Sequence, residues 1–161
     1  MVSLLKEARI FEDCTTQELE DIATICERVS FTSGEYLFEA NSPAEHLFLI
    51  IKGLLELHFN VTHYNAARKI TFERVKQGEI LGWSSALTQP RVYALSAIAV
   101  KDSELLKIRV NDIEKLCMEN NHLGYVVMKN ISETISKRFQ VLRHMLIDEI
   151  QHELNQKELS R

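Results

Sequence analysis

The sequence predicts a mainly β protein, a jelly-roll barrel flanked by helices, and three observations support this fold class. Short segments rich in β-branched and aromatic residues follow one another between Ser30 and Val110. Turn residues such as Ser33-Gly34 and Lys52-Gly53 separate them. The clear helical signals lie before and after this region. Many short strands at regular spacing are typical of a jelly roll or a similar barrel.

A short helix opens the domain. Thr15 and Glu18 form a capping box, and apolar residues recur behind it at helical spacing: Leu19, Ile22, Ala23 and Cys26. The β-rich segments that follow cover residues 29–40, 45–61, 67–75 and 92–110. Asn111, with Glu114 three residues later, then predicts the N-cap of a second helix.

A long helix with an apolar seam is predicted after a break at residues 120–124. Apolar residues recur there at steps of three or four: Met128, Ile131, Ile135, Phe139, Leu142, Leu146, Ile150 and Leu154. The domain is expected to cover residues 1–123 and the helix residues 124–161. A helix of this length outlasts the barrel surface, so we expect a homodimer that covers the seam from Ile131 to Ile150. The alternative is a helix that folds back on its own barrel.

Composition narrows the classes of partner. The 161 residues carry a formal net charge of -4, which gives no basic surface for DNA or RNA. No apolar run is long enough to span a bilayer, and the amino terminus lacks a signal peptide, so a cytoplasmic location is expected. Cys14, Cys26 and Cys117 are widely spaced, which favours small buried residues over a disulfide or metal site.

The segment Gly78–Ala97, GEILGWSSALTQPRVYALSA, carries the main functional signal. A glycine before small residues lets backbone amides converge at the start of a helix, which is a setting for an anion. Arg91 can add a bidentate contact to phosphate or carboxylate. The expected anion cradle comprises Gly82, Trp83, Ser84, Ser85, Ala86, Arg91 and Val92. In the alternative interpretation, Arg91 pairs structurally with a carboxylate such as Glu56 or Glu79.

Nearly the whole chain resembles the cyclic-nucleotide-binding domain family. The resemblance rests on SFTSGEYLFEANSPAEHLFLIIKGLLELHF, with its turn glycines Gly34 and Gly53, and on VKQGEILGWSSALTQPRVYALSA, which looks like the family's phosphate-binding cassette. It implies that Gly82 matches the cassette glycine and that Arg91 matches the arginine that pairs with the cyclic phosphate. The implied ligand is a cyclic nucleotide or another anionic molecule, and no further cofactor or metal is implied.

Several positions depart from the family pattern. Trp83 stands in place of the glutamate that accepts from the ribose, and an indole cannot accept that hydrogen bond. Val92 and Tyr93 replace small residues, and Leu142 falls where the family has a base-contacting hydroxyl. The departures imply a changed ligand or none. Trp83 is expected to stack on a ligand, to fill the pocket or to pack against the long helix.

Two functions fit these features. The first is a non-enzymatic sensor that binds an anionic ligand and signals through a dimeric helix to an unknown protein partner. The second is a ligand-free dimeric scaffold whose pocket is filled by Trp83 and Tyr93. Because the sequence ends at Arg161 without a winged helix, we expect no direct DNA binding. An enzyme is disfavoured, since His58 and His63 lack the spacing of metal ligands that share one strand face.

Overall fold

The computed structural model of the protein describes residues 1–63, 66–86 and 89–159. The helices in chain order are α1 (Val2–Lys6), α2 (Thr16–Thr24), α3 (Trp83–Ala86), α4 (Val110–Glu119) and α5 (Asn121–Leu159), with a 3-10 turn at Arg9–Phe11. The predicted capping box is present at α2. The Thr15 hydroxyl accepts from the N–H of Glu18, and the Glu18 carboxylate accepts from the N–H of Thr15.

Eight strands form two four-stranded antiparallel sheets across the described residues. The strands are β1 (Cys26–Phe31), β2 (Tyr36–Phe38), β3 (His46–Lys52), β4 (Leu54–His63), β5 (Ala66–Lys76), β6 (Ile80–Leu81), β7 (Ser96–Ala99) and β8 (Ser103–Arg109). Sheet one has the order β1-β8-β3-β6 and sheet two the order β2-β7-β4-β5. The two sheets face each other with flanking helices, which confirms the predicted fold class.

Sheet one is covered on both faces, because alternate residues of a strand point to opposite sides. On β3, Leu47 and Leu49 join the helices in one apolar cluster. Phe48 and Ile50 join sheet two in a second cluster. The molecule therefore has three layers, namely the helices, sheet one and sheet two, and the barrel interior lies between the sheets.

Asn120 separates α4 from α5 and links this junction to α2 by a hydrogen bond to Glu18. Its side-chain oxygen accepts from the N–H groups of His122 and Leu123, at 3.0 and 3.1 Å. Its amide donates to the Glu18 carboxylate, and His122 Nδ1 lies 2.8 Å from the same oxygen. Burial alone would raise the pKa of Glu18, but hydrogen bonds from Thr15 and His122 outweigh it and lower this pKa.

Gly124 allows α4 and α5 to pack closely. A Cβ at this position would lie 2.8 Å from the carbonyl oxygen of Cys117, so a larger residue would push the helices apart. Asn120 caps α5, so this helix begins at Asn121, three residues before its predicted start. Gly124 therefore lies inside the helix. The predicted break is therefore a single residue wide.

Two local predictions are wrong. Cys26 begins β1 and does not extend α2, which ends at Thr24. Asn111 is not the N-cap of α4, because that helix follows Arg109 and has no side-chain cap. The side chains of Asn111 and Glu114 instead contact Arg91, as described below.

The three cysteines are free and half-buried. Burial raises the pKa of Cys14 to about 12 and that of Cys26 to about 11. Both are therefore protonated thiols near neutral pH, as expected for small residues beside a core.

Candidate functional site

The cassette turn starts at Gly82, where the chain leaves β6 and enters the four-residue helix α3. Gly82 has a φ of 84°, a conformation that favours glycine. A Cβ here would lie 2.7 Å from the carbonyl oxygen of His46 and 3.3 Å from the Tyr93 ring. The turn is therefore held directly against β3 and Tyr93.

Trp83 packs on the helical side of sheet one, outside the barrel interior. Its side chain is 6% exposed and belongs to the same apolar cluster as Leu47, Ile113 and Ile131. The guanidinium of Arg138, on α5, lies 5.1 Å from the indole centroid, within cation-π range. Of the three roles that the sequence leaves open for Trp83, packing against the long helix matches this position.

Tyr93 occupies the barrel interior beside the cassette turn. Its ring stacks on Phe38 with 3.8 Å between centroids and 12° between planes. The hydroxyl donates to the carbonyl of His46 at 2.8 Å and accepts from the N–H of His46 at 3.3 Å. Burial raises the pKa of this phenol. A satisfied aromatic side chain therefore fills the space next to Gly82.

Arg91 contacts α4. Its Nη1 donates to Asn111 Oδ1 at 2.7 Å, and its Nη2 donates to Glu114 Oε1 at 2.5 Å. Its side chain is only 27% exposed, so the ion pair is partly shielded from water. The charge that the family resemblance assigns to a phosphate is compensated here by a carboxylate of the same chain.

The structural ion pair that the alternative interpretation predicts for Arg91 is present, but its carboxylate belongs to Glu114 and not to Glu56 or Glu79. Glu56 is buried and pairs with Lys69 at 2.7 Å and with Arg74 at 3.5 Å. Register explains this choice, since β5 runs beside β4 and places Arg74 directly opposite Glu56. Glu79 accepts from the backbone N–H of Lys76 at 2.8 Å.

Arg91 also lines a polar cavity of about 420 Å³ at the start of α4, together with His46, Arg109 and Asn111. Its Nε is buried and has no hydrogen-bond partner among the described residues. Burial and the nearby charge of Lys107 lower the pKa of His46, which favours its neutral form.

The remaining cassette residues do not complete one common hollow among the described residues. Val92 forms an isolated antiparallel bridge with Pro43, and Ser84 is exposed. Ser85 and Ala86 end α3, but their side chains lie outside the described residues. Trp83 and Arg91 face different cavities, one apolar and one polar. Trp83 and Arg91 therefore do not share one cavity among the described residues, while the cradle of backbone amides after Gly82 stays a prediction.

The predicted seam residues of α5 fall into two groups. Ile131 is 6% exposed and packs into the core of its own domain. The other predicted seam residues are exposed, and Phe139 is 66% exposed. This exposed set comprises Ile135, Phe139, Leu142, Leu146 and Ile150.

Arg138 is a contact residue that sequence reasoning missed. Its Nη2 lies 2.9 Å from Glu73 Oε2 on β5, and its guanidinium covers Trp83. That carboxylate oxygen is buried without an aligned hydrogen bond, so the contact is one of charge. The available signal was its position, seven residues after Ile131 and hence on the domain-facing side of α5.

These features define a jelly-roll domain with a cassette turn after Gly82 and a long carboxy-terminal helix. Residues 28–120 match the family described as cyclic nucleotide-binding domain. The chain belongs to this family. Across the described residues, the structure contains no helix that is both long and apolar enough to cross a membrane.

Relatives of this chain include regulators and solved domains. It is 30% identical over 129 residues to the Anaerobic regulatory protein of Bacillus subtilis, which covers 80% of the chain and 52% of that protein. The chain thus spans about half the length of this relative. A Geobacter metallireducens structure named for cyclic nucleotide binding is 32% identical, with TM-score 0.69, covering 86% of this chain and 99% of the other. A cyclic nucleotide-binding domain from Methylobacillus flagellatus has TM-score 0.77 and 16% identity, covering 92% and 81%, and shows the fold alone.

Proposed function

We propose that the protein is a non-enzymatic regulatory module that acts as a homodimer paired along the carboxy-terminal half of α5. The observation that carries this proposal is the row of exposed apolar side chains at Ile135, Phe139, Leu142, Leu146 and Ile150. Large exposed apolar patches mark interaction surfaces in soluble proteins. Because the helix extends past its own domain, the domain does not bury these side chains, and we expect a second copy of the chain to bury them.

The spacing of these residues supports helix pairing. Steps of three and four residues keep apolar side chains on one side of a helix, as in two-stranded coiled coils. About half of each exposed side chain is open, and together they supply a large part of the roughly 800 Å² per partner that a standard interface buries. A second α5 offers the same row in return, as twofold symmetry requires.

The test of pairing is sedimentation of wild type and two variants. Leu142→Glu places a charge in the row and is expected to convert the dimer to a monomer, because burying an unpaired carboxylate is costly. Gln140→Glu adds the same charge on the opposite side of α5 and is expected to remain dimeric. A monomeric wild type, or equal behaviour of both variants, would contradict the proposal.

For the cassette, we favour a module that does not bind a cyclic nucleotide in the family's usual manner. Tyr93 lies beside Gly82, Trp83 lies in the helical layer, and Arg91 pairs with Glu114. Calorimetry and thermal melting with cyclic AMP and cyclic GMP test this, because a ligand that binds the native state raises its stability, by about 2.7 kcal/mol at 100 times Kd. We expect no heat and no shift.

A second candidate function is sensing of an anion through Arg91. It is favoured by the 420 Å³ cavity that Arg91 and Arg109 line together with Glu45, and by Arg91 Nε, which is unpaired among the described residues. An anion there would compete with Glu114 for the guanidinium and so bias α4. If melting with phosphate or a nucleotide shows a shift, Arg91→Ala and Arg109→Ala locate it. If both variants lose the melting shift, the anion binds in the cavity that Arg91 and Arg109 line. If only Arg91→Ala loses the shift, the anion binds at the cassette turn.

A further inference from the structure

An apolar groove of about 480 Å³ lies beside Trp83 on the helical side of the molecule. Its floor consists of side chains that are almost fully buried, including Phe11, Leu47 and Trp83. Met118 and Met128 also line the groove, and they are 75% and 46% exposed. The groove is therefore open at the surface, and its volume lies within the range of small-molecule pockets.

Glu114 is the one charged side chain that lines this groove among the described residues. The rest of the lining consists of apolar side chains and Gly124. The Glu114 side chain is 38% exposed, and Arg91 donates to its Oε1. Arg91 itself lines the separate polar cavity, so the groove presents the carboxylate and not the guanidinium. A molecule that fills the apolar space and carries a positive group at one end is complementary to this lining.

We infer that the groove binds a small organic cation, with an apolar aryl or alkyl body and one primary ammonium group. The body packs against Trp83 and the two methionines, because thioethers adapt to irregular apolar shapes. The ammonium donates to the Glu114 carboxylate in place of Arg91. Arg91 keeps its hydrogen bond from Nη1 to Asn111 Oδ1 at 2.7 Å, and so stays attached to α4. The site needs neither a cyclic nucleotide nor a second copy of the chain.

The charge of the ligand decides its affinity, because the apolar body contributes equally in ligands of the same shape. An ammonium gains a charge-assisted hydrogen bond from Glu114. A neutral alcohol gains the same apolar burial without that bond. A carboxylate would lie beside Glu114 in a largely apolar setting, where like charges repel more strongly than in water. The expected order of affinity is therefore amine, alcohol, carboxylate.

The order can be measured by the fluorescence of Trp83, the only tryptophan in the chain. The three probes are 4-phenylbutylamine, 4-phenylbutanol and 4-phenylbutanoate, titrated at neutral pH. We expect the amine to bind roughly tenfold more tightly than the alcohol, through its charge-assisted hydrogen bond. Equal affinities of the amine and the alcohol, or no response to any probe, would overturn the inference.

Two variants test the role of Glu114. Glu114→Gln keeps the size of the side chain and should bind the amine only as tightly as the alcohol, while an unchanged alcohol affinity shows that the groove is intact. Glu119→Gln removes a glutamate of α4 that does not line the groove and should behave like wild type. A wild-type preference for the amine in Glu114→Gln would overturn the inference.

Arg91→Met separates this site from anion sensing through Arg91. It should bind the amine more tightly than wild type, because the Glu114 carboxylate is no longer neutralised by a guanidinium. Anion sensing predicts instead that this variant loses its response to phosphate. An unchanged or weaker amine affinity in Arg91→Met would overturn the competition between the ligand and Arg91.

The methionine methyl groups locate the ligand. The chain has four methionines, and Met1 and Met145 do not line the groove. In protein with carbon-13 in these methyl groups, 4-phenylbutylamine should shift the NMR signals of Met118 and Met128 and leave the other two unchanged. Shifts at Met145 without shifts at Met118 would overturn the location. Binding confined to the Leu142→Glu variant would mean that a second copy fills the groove in wild type, and would also overturn the inference.

Discussion

The two halves of α5 have the same secondary structure but different surroundings. From Asn121 to Arg138 the helix packs on α4 and the 3-10 turn, and Leu123, Val127 and Ile131 are buried. Beyond Arg138 the described side chains are exposed, including Leu142, Leu146 and Ile150. The apolar content hardly changes across this boundary. What changes is whether the domain provides a surface to cover it.

The contrast shows why an apolar helical pattern cannot by itself identify an interface. Both halves carry apolar residues at helical spacing, because burial in a core and burial against a partner require the same chemistry. Ile131 and Ile150 look alike in the sequence, yet one is 6% and the other 49% exposed. The tertiary fold decides which residues are left for a partner.

The largest expected difference between the halves is in amide hydrogen exchange. In the monomeric Leu142→Glu variant, amides near Leu123–Thr134 should exchange more than about a thousandfold slower than those near Met145–Leu154, since about 5 kcal/mol of opening free energy protects a packed element. An unpaired helical half is marginal in water. Uniform protection along α5 in this variant would contradict the comparison. In the wild-type dimer, the far half should gain protection.

A matched pair of isoleucines measures the difference as stability. In the Leu142→Glu background, Ile131→Ala should lower the free energy of unfolding by about 2–5 kcal/mol, because it leaves a cavity in the core. Ile150→Ala should change it by less than about 0.5 kcal/mol, as an exposed substitution. Urea denaturation monitored by circular dichroism gives both values. Similar losses would mean that the far half is also packed on its domain.

Arg138 marks the boundary between the halves, and its removal should have a moderate effect. Arg138→Met keeps an apolar stem but loses the cation-π contact with Trp83, worth about 0.5–2 kcal/mol, and the partly exposed ion pair with Glu73, worth up to about 1 kcal/mol. We expect a loss of roughly 1–2 kcal/mol in urea denaturation. The exposed Arg143→Met should cost less than about 0.5 kcal/mol. Equal effects would contradict a specific contact.

The smallest expected effect concerns Glu18, whose carboxylate contacts Asn120 and His122 at the start of α5. Since the pKa of Glu18 is lowered in the folded state, its ionised form stabilises the protein above the normal glutamate pKa of about 4.3. This contribution is lost as the pH falls through the lower, folded pKa. Glu18→Gln should flatten the dependence of unfolding free energy on pH below about 5. Glu20→Gln, at an exposed position, should keep the wild-type dependence on pH. The same dependence in Glu18→Gln would contradict a stabilising role for the ionised Glu18 carboxylate.

Local features were predictable from the sequence, and contacts between distant residues were not. The capping box of Thr15 and Glu18 involves neighbours three apart, and the structure confirms it. Asn111 and Glu114 have the same spacing, yet they bind Arg91, which lies 20 and 23 positions before them in the chain. The spacing allows Asn111 and Glu114 to form a capping box, but in the folded chain both side chains accept hydrogen bonds from Arg91 instead.

The cassette shows the same limit at the candidate site. The positive φ of Gly82 and the start of a short helix after it agree with the sequence pattern. The direction of each side chain depended on long-range packing, because sheet one separates Trp83 in the helical layer from Tyr93 in the barrel interior. Sequence spacing places these residues in one segment but does not assign them to layers.

Gly124 lets α4 and α5 pack closely at the start of a very long helix. A Cβ at position 124 would lie 2.8 Å from the Cys117 carbonyl oxygen, so the two helices lie close together there, and Arg91 pairs with Glu114 in the first half of α4. The 39 residues of α5 span roughly 58 Å. A tilt of about one degree at Asn121 displaces the far tip by about 1 Å, so a small change in the orientation of α5 at the domain becomes a larger displacement at its end.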